Sequence, residues 1–326
     1  MADFIHSILR TNNTPAADGD VVLDLPVNPL TLILLHINPL AETSTITTHR
    51  LLEALLAAVG NVRVTHKGAS VIDASGVDLA VLALLWHRFT MWQSNAVETD
   101  NDRRSLVLPI CFGRGAYTPN ECFPETRKGE LQLTLTFDIA AAGFDALNYS
   151  VETVELPGAS PETVQKVTTL AQTLAATGQN DVDLPIGNVL RGILCFGTTG
   201  YAGATPAPTL GQLSVYKDNR QIGYTASDFE VLRGLLGVRG VPFPPDLRHI
   251  HSGTYTTTVA GDSREPEVGA SIDDNYALLD FDPNRDDMYS LETQGAGRVN
   301  VRLDAEAANA VRILPIERVV AGQFTS

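Results

Sequence analysis

The sequence predicts an all-β protein built as two tandem β-sandwiches, with short helices confined to the connections. Three observations carry the prediction. A strand–turn–strand–helix stretch occurs twice, at residues 62–86 and 213–236. Several further segments recur in the same order in both halves. Short alternating runs are separated throughout by Gly and Pro turns, the punctuation of a sandwich or barrel. A repeat of this length settles architecture ahead of any local assignment.

In the first copy, Val62 and Val64 lead through His66-Lys67-Gly68 to Val71-Ile72, then to Asp78 and the apolar helical run Leu79, Leu82, Leu85. In the second, Leu213 and Val215 lead through Lys217-Asp218-Asn219 to Ile222 and Tyr224, then to Asp228 and Phe229, Leu232, Leu235. Asp24-Leu25-Pro26-Val27 recurs as Asp183-Leu184-Pro185-Ile186, each followed by an apolar run. Residues 108–112 match 278–281, residues 133–137 match 299–303, and the closing Val154-Glu155 matches Ile316-Glu317.

Taken in order, residues 1–19 read as an N-terminal arm. Phe4, Ile5, Ile8 and Leu9 share one face of a short helix before the Pro- and Gly-containing break, and that face either caps its own domain or packs on a neighbour or a lipid surface. Residues 20–157 form the first sandwich. Two strands meet at Pro26-Val27-Asn28-Pro29, where proline marks an edge or corner. Residues 47–59 read as a helix stopped by Gly60, and a second helix runs from an Asp78 cap to about Trp92. Strands follow at 105–112, at 130–138, which alternates as a half-buried strand should, and at 149–156.

Residues 158–181 read as a bridging helix. Ser160-Pro161-Glu162 is a start signal, Val164, Val167, Leu170 and Leu174 follow at helical spacing, and Gly178 ends it. Residues 182–320 form the second sandwich, with strands at 254–259, 276–281, 298–303 and 311–319, and 321–326 is a tail. Each half therefore holds seven or eight short strands, for which a two-sheet jelly roll is one stable solution.

The 326 residues suit two domains. A net charge of −15 argues against direct nucleic-acid binding, which needs a basic face. Cys111, Cys122 and Cys195 make no disulfide framework. No apolar run is long enough to span a bilayer and no signal-peptide layout opens the chain, so synthesis in a cytoplasm is expected.

The sequence lacks G-x-S-x-G, a Walker loop, H-E-x-x-H and paired C-x-x-C. Gly197, Gly200 and Gly203 do not form a dinucleotide fingerprint and read as a plain loop. His249 and His251 have metal-ligand spacing on a strand, the basis of an alternative reading as a bicupin-like metal enzyme, but no Glu follows nearby. Asp280, Asp282, Asn284 and Asp286 resemble the front of a calcium loop. Arg285 stands where the central glycine belongs, so the plain alternative is a solvated turn. No other cofactor is expected. A glycan-binding double sandwich is disfavoured by only two Trp, Trp86 and Trp92, in one predicted helical stretch.

The DLP-type first strands, the hairpins leading to Asp78 and Asp228, LVLPICFGR at 106–114 and the segment from Asn275 to Val319 together resemble the double jelly-roll major capsid proteins of tailless icosahedral viruses, often with an internal membrane. The resemblance implies a structural, non-enzymatic protein of the virion, synthesised in the host cytoplasm. It implies a homotrimer with six sandwiches around a three-fold axis, a pseudo-hexameric capsomer closed by heterologous contacts. Its partners would be other copies, neighbouring capsomers and an internal membrane or minor capsid proteins. Phe4, Ile5, Ile8 and Leu9 would then lie at an interface, and loops 41–48, 113–129, 197–211 and 260–274 would be candidate outer towers.

Overall fold

The computed structural model describes residues 3–15, 18–41, 52–89, 91–94, 103–140, 144–199, 208–240 and 272–325. The chain divides into two compact units. Described residues up to Glu162, with Ile272, Phe324 and Thr325, form the first; described residues from 163 to 240 and 273–323 form the second.

The first unit contains β1 (Ile5–Asn13), β2 (Gly19–Asp24), β3 (Leu30–Ala41), α1 (Leu52–Ala57), β4 (Val59–His66), β5 (Ala69–Ala74) and α2 (Gly76–Leu85). It continues through β6 (Trp92–Gln93), β7 (Leu106–Cys111), β8 (Leu131–Phe137) and β9 (Phe144–Glu155). One antiparallel sheet has the order β1-β9-β3-β7-β6, and β2-β8-β4-β5 are paired in another.

The second unit repeats this plan. It contains β10 (Thr163–Thr168), β11 (Leu170–Thr173), β12 (Gly178–Asp183), β13 (Val189–Gly197), β14 (Gln212–Lys217), β15 (Arg220–Gln221), β16 (Ser227–Asp228) and α3 (Phe229–Val238). β17 (Tyr276–Asp280), β18 (Leu291–Glu292), β19 (Val299–Ala305), β20 (Ala310–Val320) and the 3-10 turn Ala321–Phe324 complete it. β10 and β11 both pair β20, which pairs β13, which pairs β17. β12-β19-β14-β15 form the other sheet. Strand for strand, β1-β9-β3-β7 corresponds to β10/β11-β20-β13-β17, and β2-β8-β4-β5 to β12-β19-β14-β15. Among the described residues, eight strand positions correspond between the units in two facing sheets, the jelly-roll plan, so the predicted fold class is correct.

Period-two patterning builds each core. β8 buries Leu131, Leu133, Leu135 and Phe137 and turns Gln132, Thr134 and Thr136 outward. In the second unit, Val299, Val301 and Leu303 from one sheet join Ile193, Ala277, Leu279 and Ile313 from the other in a single cluster. The two predicted hairpins turn in the same way. Lys67-Gly68 and Asp218-Asn219 all have positive φ (50°, 83°, 52° and 64°), the type I′ geometry that matches strand twist.

Several local expectations are overturned. Residues 5–13 are a strand, not a helix, so Phe4 and Ile8 fall on one side and Ile5 and Leu9 on the other. Residues 163–173 are likewise two strands rather than a bridging helix. The apolar spacing Val164, Val167, Leu170, Leu174 fits either period, but the β-branched run Thr163-Val164, Val167-Thr168-Thr169 favours extended backbone. The first jelly roll thus starts at Ile5 and the second at Thr163, ahead of the predicted boundaries at 20 and 182.

α1 ends at Ala57, and Gly60 lies inside β4 rather than stopping a helix; residues 42–51 lie outside the described residues. α2 is capped by Ser75, whose side chain accepts the Asp78 N–H at 3.1 Å; Asp78 is the third helical residue, and the helix ends at Leu85. α2 is apolar apart from Asp78 and buried at every residue but Val77. Trp92 therefore sits on a strand and is exposed, while Trp86 is buried. The predicted strand at 254–259 lies outside the described residues.

Candidate functional site

Function in this fold rests on edges, corners and loops. The first such feature is a buried contact present once in each jelly roll. In the first, Glu155 at the end of β9 accepts from Asn28 Nδ2 and from Ser7 Oγ of β1, both at 2.7 Å. In the second, Glu317 of β20 accepts from Asn188 Nδ2 at 2.7 Å and faces Lys166 Nζ of β10 at 3.6 Å. In each case an Asn four or five residues after the DLP aspartate joins the last strand, and a polar residue of the first strand joins them. Both glutamates are buried. The same corner leaves Val27 and Ile186 exposed. The recurring Asn after DLP was visible in the sequence, but its partner was not.

The Asp280–Asp286 run is a turn held by its own backbone N–H groups and by Arg239. Asp280 Oδ1 accepts the Asp282 N–H at 2.8 Å, and its Oδ2 lies 2.9 Å from Arg239 Nη1. Asp282 Oδ1 accepts the Asp287 N–H at 2.8 Å, and Asp286 Oδ1 accepts the Met288 N–H at 3.0 Å. Asn284 and Asp286 are exposed. The residue that sequence reasoning passed over is Asp287. Its carboxylate is held bidentately by Arg191, at 2.6 and 2.8 Å, and by Arg318 Nη1 at 3.2 Å. Among the described residues no group of three or more His, Cys, Asp or Glu is placed to hold a metal. His249 and His251, and the loop 260–271, lie outside the described residues.

Loop 113–129 is ordered by its own chemistry. The Arg114 backbone N–H and Nε both donate to Glu121 Oε2 at 3.0 Å. The three cysteines are free and buried. Burial pushes the Cys111 thiol up to about 12 and Cys122 up to about 11, and raises Cys195 as well. Thiols held protonated react slowly, so all three are expected to resist a disulfide reagent in the native protein and to react on denaturation, as a thiol titration with and without guanidinium would record.

On the opposite sheet of the second unit, Arg302 holds Asp181 bidentately, at 2.7 and 3.1 Å, over the Tyr216 ring. The hydrogen bond from Arg302 lowers the Asp181 pKa below its ordinary 3.8, against an opposing effect of burial. A depressed carboxyl stabilises the fold above its unfolded pKa and stops doing so as pH falls through the folded value. Asp181→Asn is therefore expected to flatten part of the acid limb of stability below pH 3.8, measured by urea titration at stepped pH.

Among the described residues, the remaining exposed large apolar side chains are Phe4, Ile5 and Ile8 at the N-terminal strand, Val22, Trp92, Tyr117, Val231 and Val238 of α3, Met288, Tyr289 and Val320. Phe4 and Tyr117 meet edge to face, ring centroids 5.6 Å apart. The sequence singled out Phe4, Ile5, Ile8 and Leu9 together; the structure keeps the first three exposed and half-buries Leu9. Tyr117 was missed because it lies in a loop more than a hundred residues away. No described helix is long and apolar enough to cross a membrane.

No family model and no curated protein sequence matches the chain. Solved structures do. The major capsid protein P2 from bacteriophage PM2 superposes with a TM-score of 0.61 at 16% identity, over 97% of this chain and 98% of that one. The major capsid protein of STIV superposes with a TM-score of 0.64 at 11% identity, over 99% of each chain. The Faustovirus major capsid protein gives 0.59 at 7% identity, over 98% and 90%. The fold is the tandem double jelly roll of these proteins.

Proposed function

We propose, from that shared fold, that the chain is the major capsid protein of an icosahedral virus, a structural component of the virion. The observation that supports this most directly is the extent of the match: both jelly rolls, in order, align with capsid proteins over 97–99% of this chain and 98–99% of those chains. A single sandwich would be shared with many unrelated functions; two in tandem over 97–99% of the chain are far more restrictive. The chain assembles as a homotrimer, presenting six sandwiches around a three-fold axis, and trimers tile with their neighbours. An internal membrane or minor capsid proteins are further partners in this reading. It invokes no enzymatic activity and no cofactor; Asp280 accepts the Asp282 N–H and faces Arg239, and Asp282 accepts the Asp287 N–H.

The test is the mass and outline of the purified assembly. A homotrimer weighs about 105 kDa, three times 35.0 kDa, and negative-stain images should show hexagonal outlines. A stable monomer at concentrations well above the micromolar range would overturn the reading.

A further inference from the structure

We infer that the outer face of α3 is a docking site for a basic amphipathic helix of another protein. The apolar side of that helix covers Val231, Leu235 and Val238, and one of its lysines or arginines enters an acidic cleft at the start of α3. The inference goes beyond the proposed function, which assigns no contact surface. It stands on the second unit and its internal counterpart in the first.

α2 and α3 are the same element in the two copies of the plan. Leu79 and Leu82 of α2, with Trp86 just after it, match Phe229, Leu232 and Leu236 of α3, and all six are buried. α2 packs on β7, and α3 on the corresponding strand β17. The two helices differ in what else they meet. In the first unit α1 lies against the start of α2, where a Cβ at Gly76 would be 2.6 Å from the Leu56 carbonyl oxygen. α1 brings three buried leucines, Leu52, Leu55 and Leu56. Val81 and Leu85 of α2 are at most 2% exposed. α3 is the one α-helix among the described residues of its unit. At the places of Val81 and Leu85 it has Val231, 63% exposed, and Leu235, half-buried. Val238 is exposed where the first copy carries the charged Arg88, so the second copy has gained an apolar residue on this face. Residues 231, 235 and 238 follow at i, i+4 and i+7 and form one stripe. Gly234 lies beside it, and a Cβ there would meet nothing within 4 Å, which leaves room for close approach. Such a stripe takes a helix laid along it, and a leucine-faced helix is what lies against the same element in the first copy.

Charge selects the occupant. At the start of α3 an open cleft of about 260 Å³ is lined by Asp228, Glu230, Asp304 and Glu306, with Gly211 and Gln212. Asp228 Oδ1 accepts from Gln212 Nε2 at 2.8 Å. Among the described residues none of the four carboxylates forms an ion pair, and no Lys or Arg lines the cleft. Glu230 precedes Val231 in the first helical turn, so cleft and stripe adjoin. Four such carboxylates in a chain of net charge −15 repel nucleic acid and anionic lipid and attract a cationic side chain. The cleft alone would take any small cation. The adjoining stripe makes the occupant a polypeptide, with leucine-like residues on one side and lysine or arginine on the other.

The experiment uses the full-length protein and two synthetic helical peptides that share a leucine face, one with lysines and one with glutamates on the polar side. Fluorescence anisotropy should show binding of the leucine–lysine peptide and at least roughly tenfold weaker binding of the leucine–glutamate peptide. Val231→Ser/Val238→Ser should weaken binding of the lysine peptide at least roughly tenfold. Glu230→Gln should weaken it about threefold and reduce its salt dependence. All three positions are exposed, so the variants should keep the wild-type circular dichroism. Hydrogen exchange on wild type adds a measurement independent of any variant: amides of Phe229–Val238 should slow with the lysine peptide, and those of Gly76–Leu85 should not change. Equal binding of the two peptides, or of the lysine peptide to wild type and to Val231→Ser/Val238→Ser, overturns the inference. So does a wild type that binds neither peptide and whose α3 amides are already slow, which would show the face covered by this chain's own residues. Loss of self-association in Val231→Ser/Val238→Ser would put a second copy on α3 and overturn it as well. Each of these results leaves the proposed function standing, whereas a monomeric wild type that binds the lysine peptide at α3 overturns the proposed function and supports this inference.

Discussion

Asp287→Ala is expected to lower stability by about 3–5 kcal/mol, the cost of leaving a buried charge without its partner. Arg191 is 1% exposed and sits on β13, in the middle of its sheet. Its guanidinium meets Asp287 in fork geometry, and Arg318 of β20 adds a third contact to the same carboxylate. Removing that carboxylate leaves two guanidinium groups facing each other. Desolvation of Arg191 is then no longer offset by its closest opposite charge. Arg191→Met removes the same ion pair from the other side and leaves a less buried acid, so it should cost less than Asp287→Ala. The double variant should cost less than the sum, because the unmatched charge disappears with its partner. Chemical denaturation of the three variants measures the coupling. Strict additivity would show that the pair contributes nothing to holding the 281–290 turn against β13.

The sequence made the repeat legible because jelly-roll strands alternate faces with a period of two, and because the DLP corner, the I′ hairpins and the short apolar helices after them were retained in both halves. The first strand of each half was not legible, and for one reason in both. Phe4, Ile5, Ile8, Leu9 and Val164, Val167, Leu170, Leu174 carry apolar residues at spacings that also suit a helix. What decides their state is hydrogen bonding to β9 and β20, 140 or more residues distant. Register across that separation has no local signal. The two Asn–Glu contacts were half legible, since Asn28 and Asn188 follow matching motifs and Glu155 and Glu317 end matching strands. Only the fold places each Asn against its Glu. Asp287 was hidden by its neighbours: Asp280, Asp282 and Asp286 drew attention as calcium-type ligands, while the acid that holds the turn follows them.

Gly113→Ala should be the most damaging of the glycine substitutions in the first unit, at about 3 kcal/mol, the upper part of the range for overpacking. A Cβ there would lie 2.1 Å from the Glu121 carbonyl oxygen and 2.7 Å from the Glu121 Cβ. The obstacle is backbone, so no rotamer change relieves it. The displaced segment also matters beyond the loop. Two residues after Glu121, Phe123 exchanges backbone hydrogen bonds with Leu30, at 2.9 and 2.8 Å. The Phe123 ring packs near those of Phe112, His66 and Phe324. Moving residue 121 therefore pulls on the start of β3, on the core and on the tail contact together. Gly129→Ala provides the comparison. Its φ of +81° strains an alanine, but its Cβ would meet nothing within 4 Å, so the cost is the left-handed backbone alone, about 1–2 kcal/mol. Cys122 reports the difference locally. Gly113→Ala should speed its reaction with a disulfide reagent in the native state, whereas Gly129→Ala should not. Equal losses of stability and equal thiol reactivity in the two variants would mean that the 113–121 approach is slack enough to open, and that the loop is not held by the Gly113 contact.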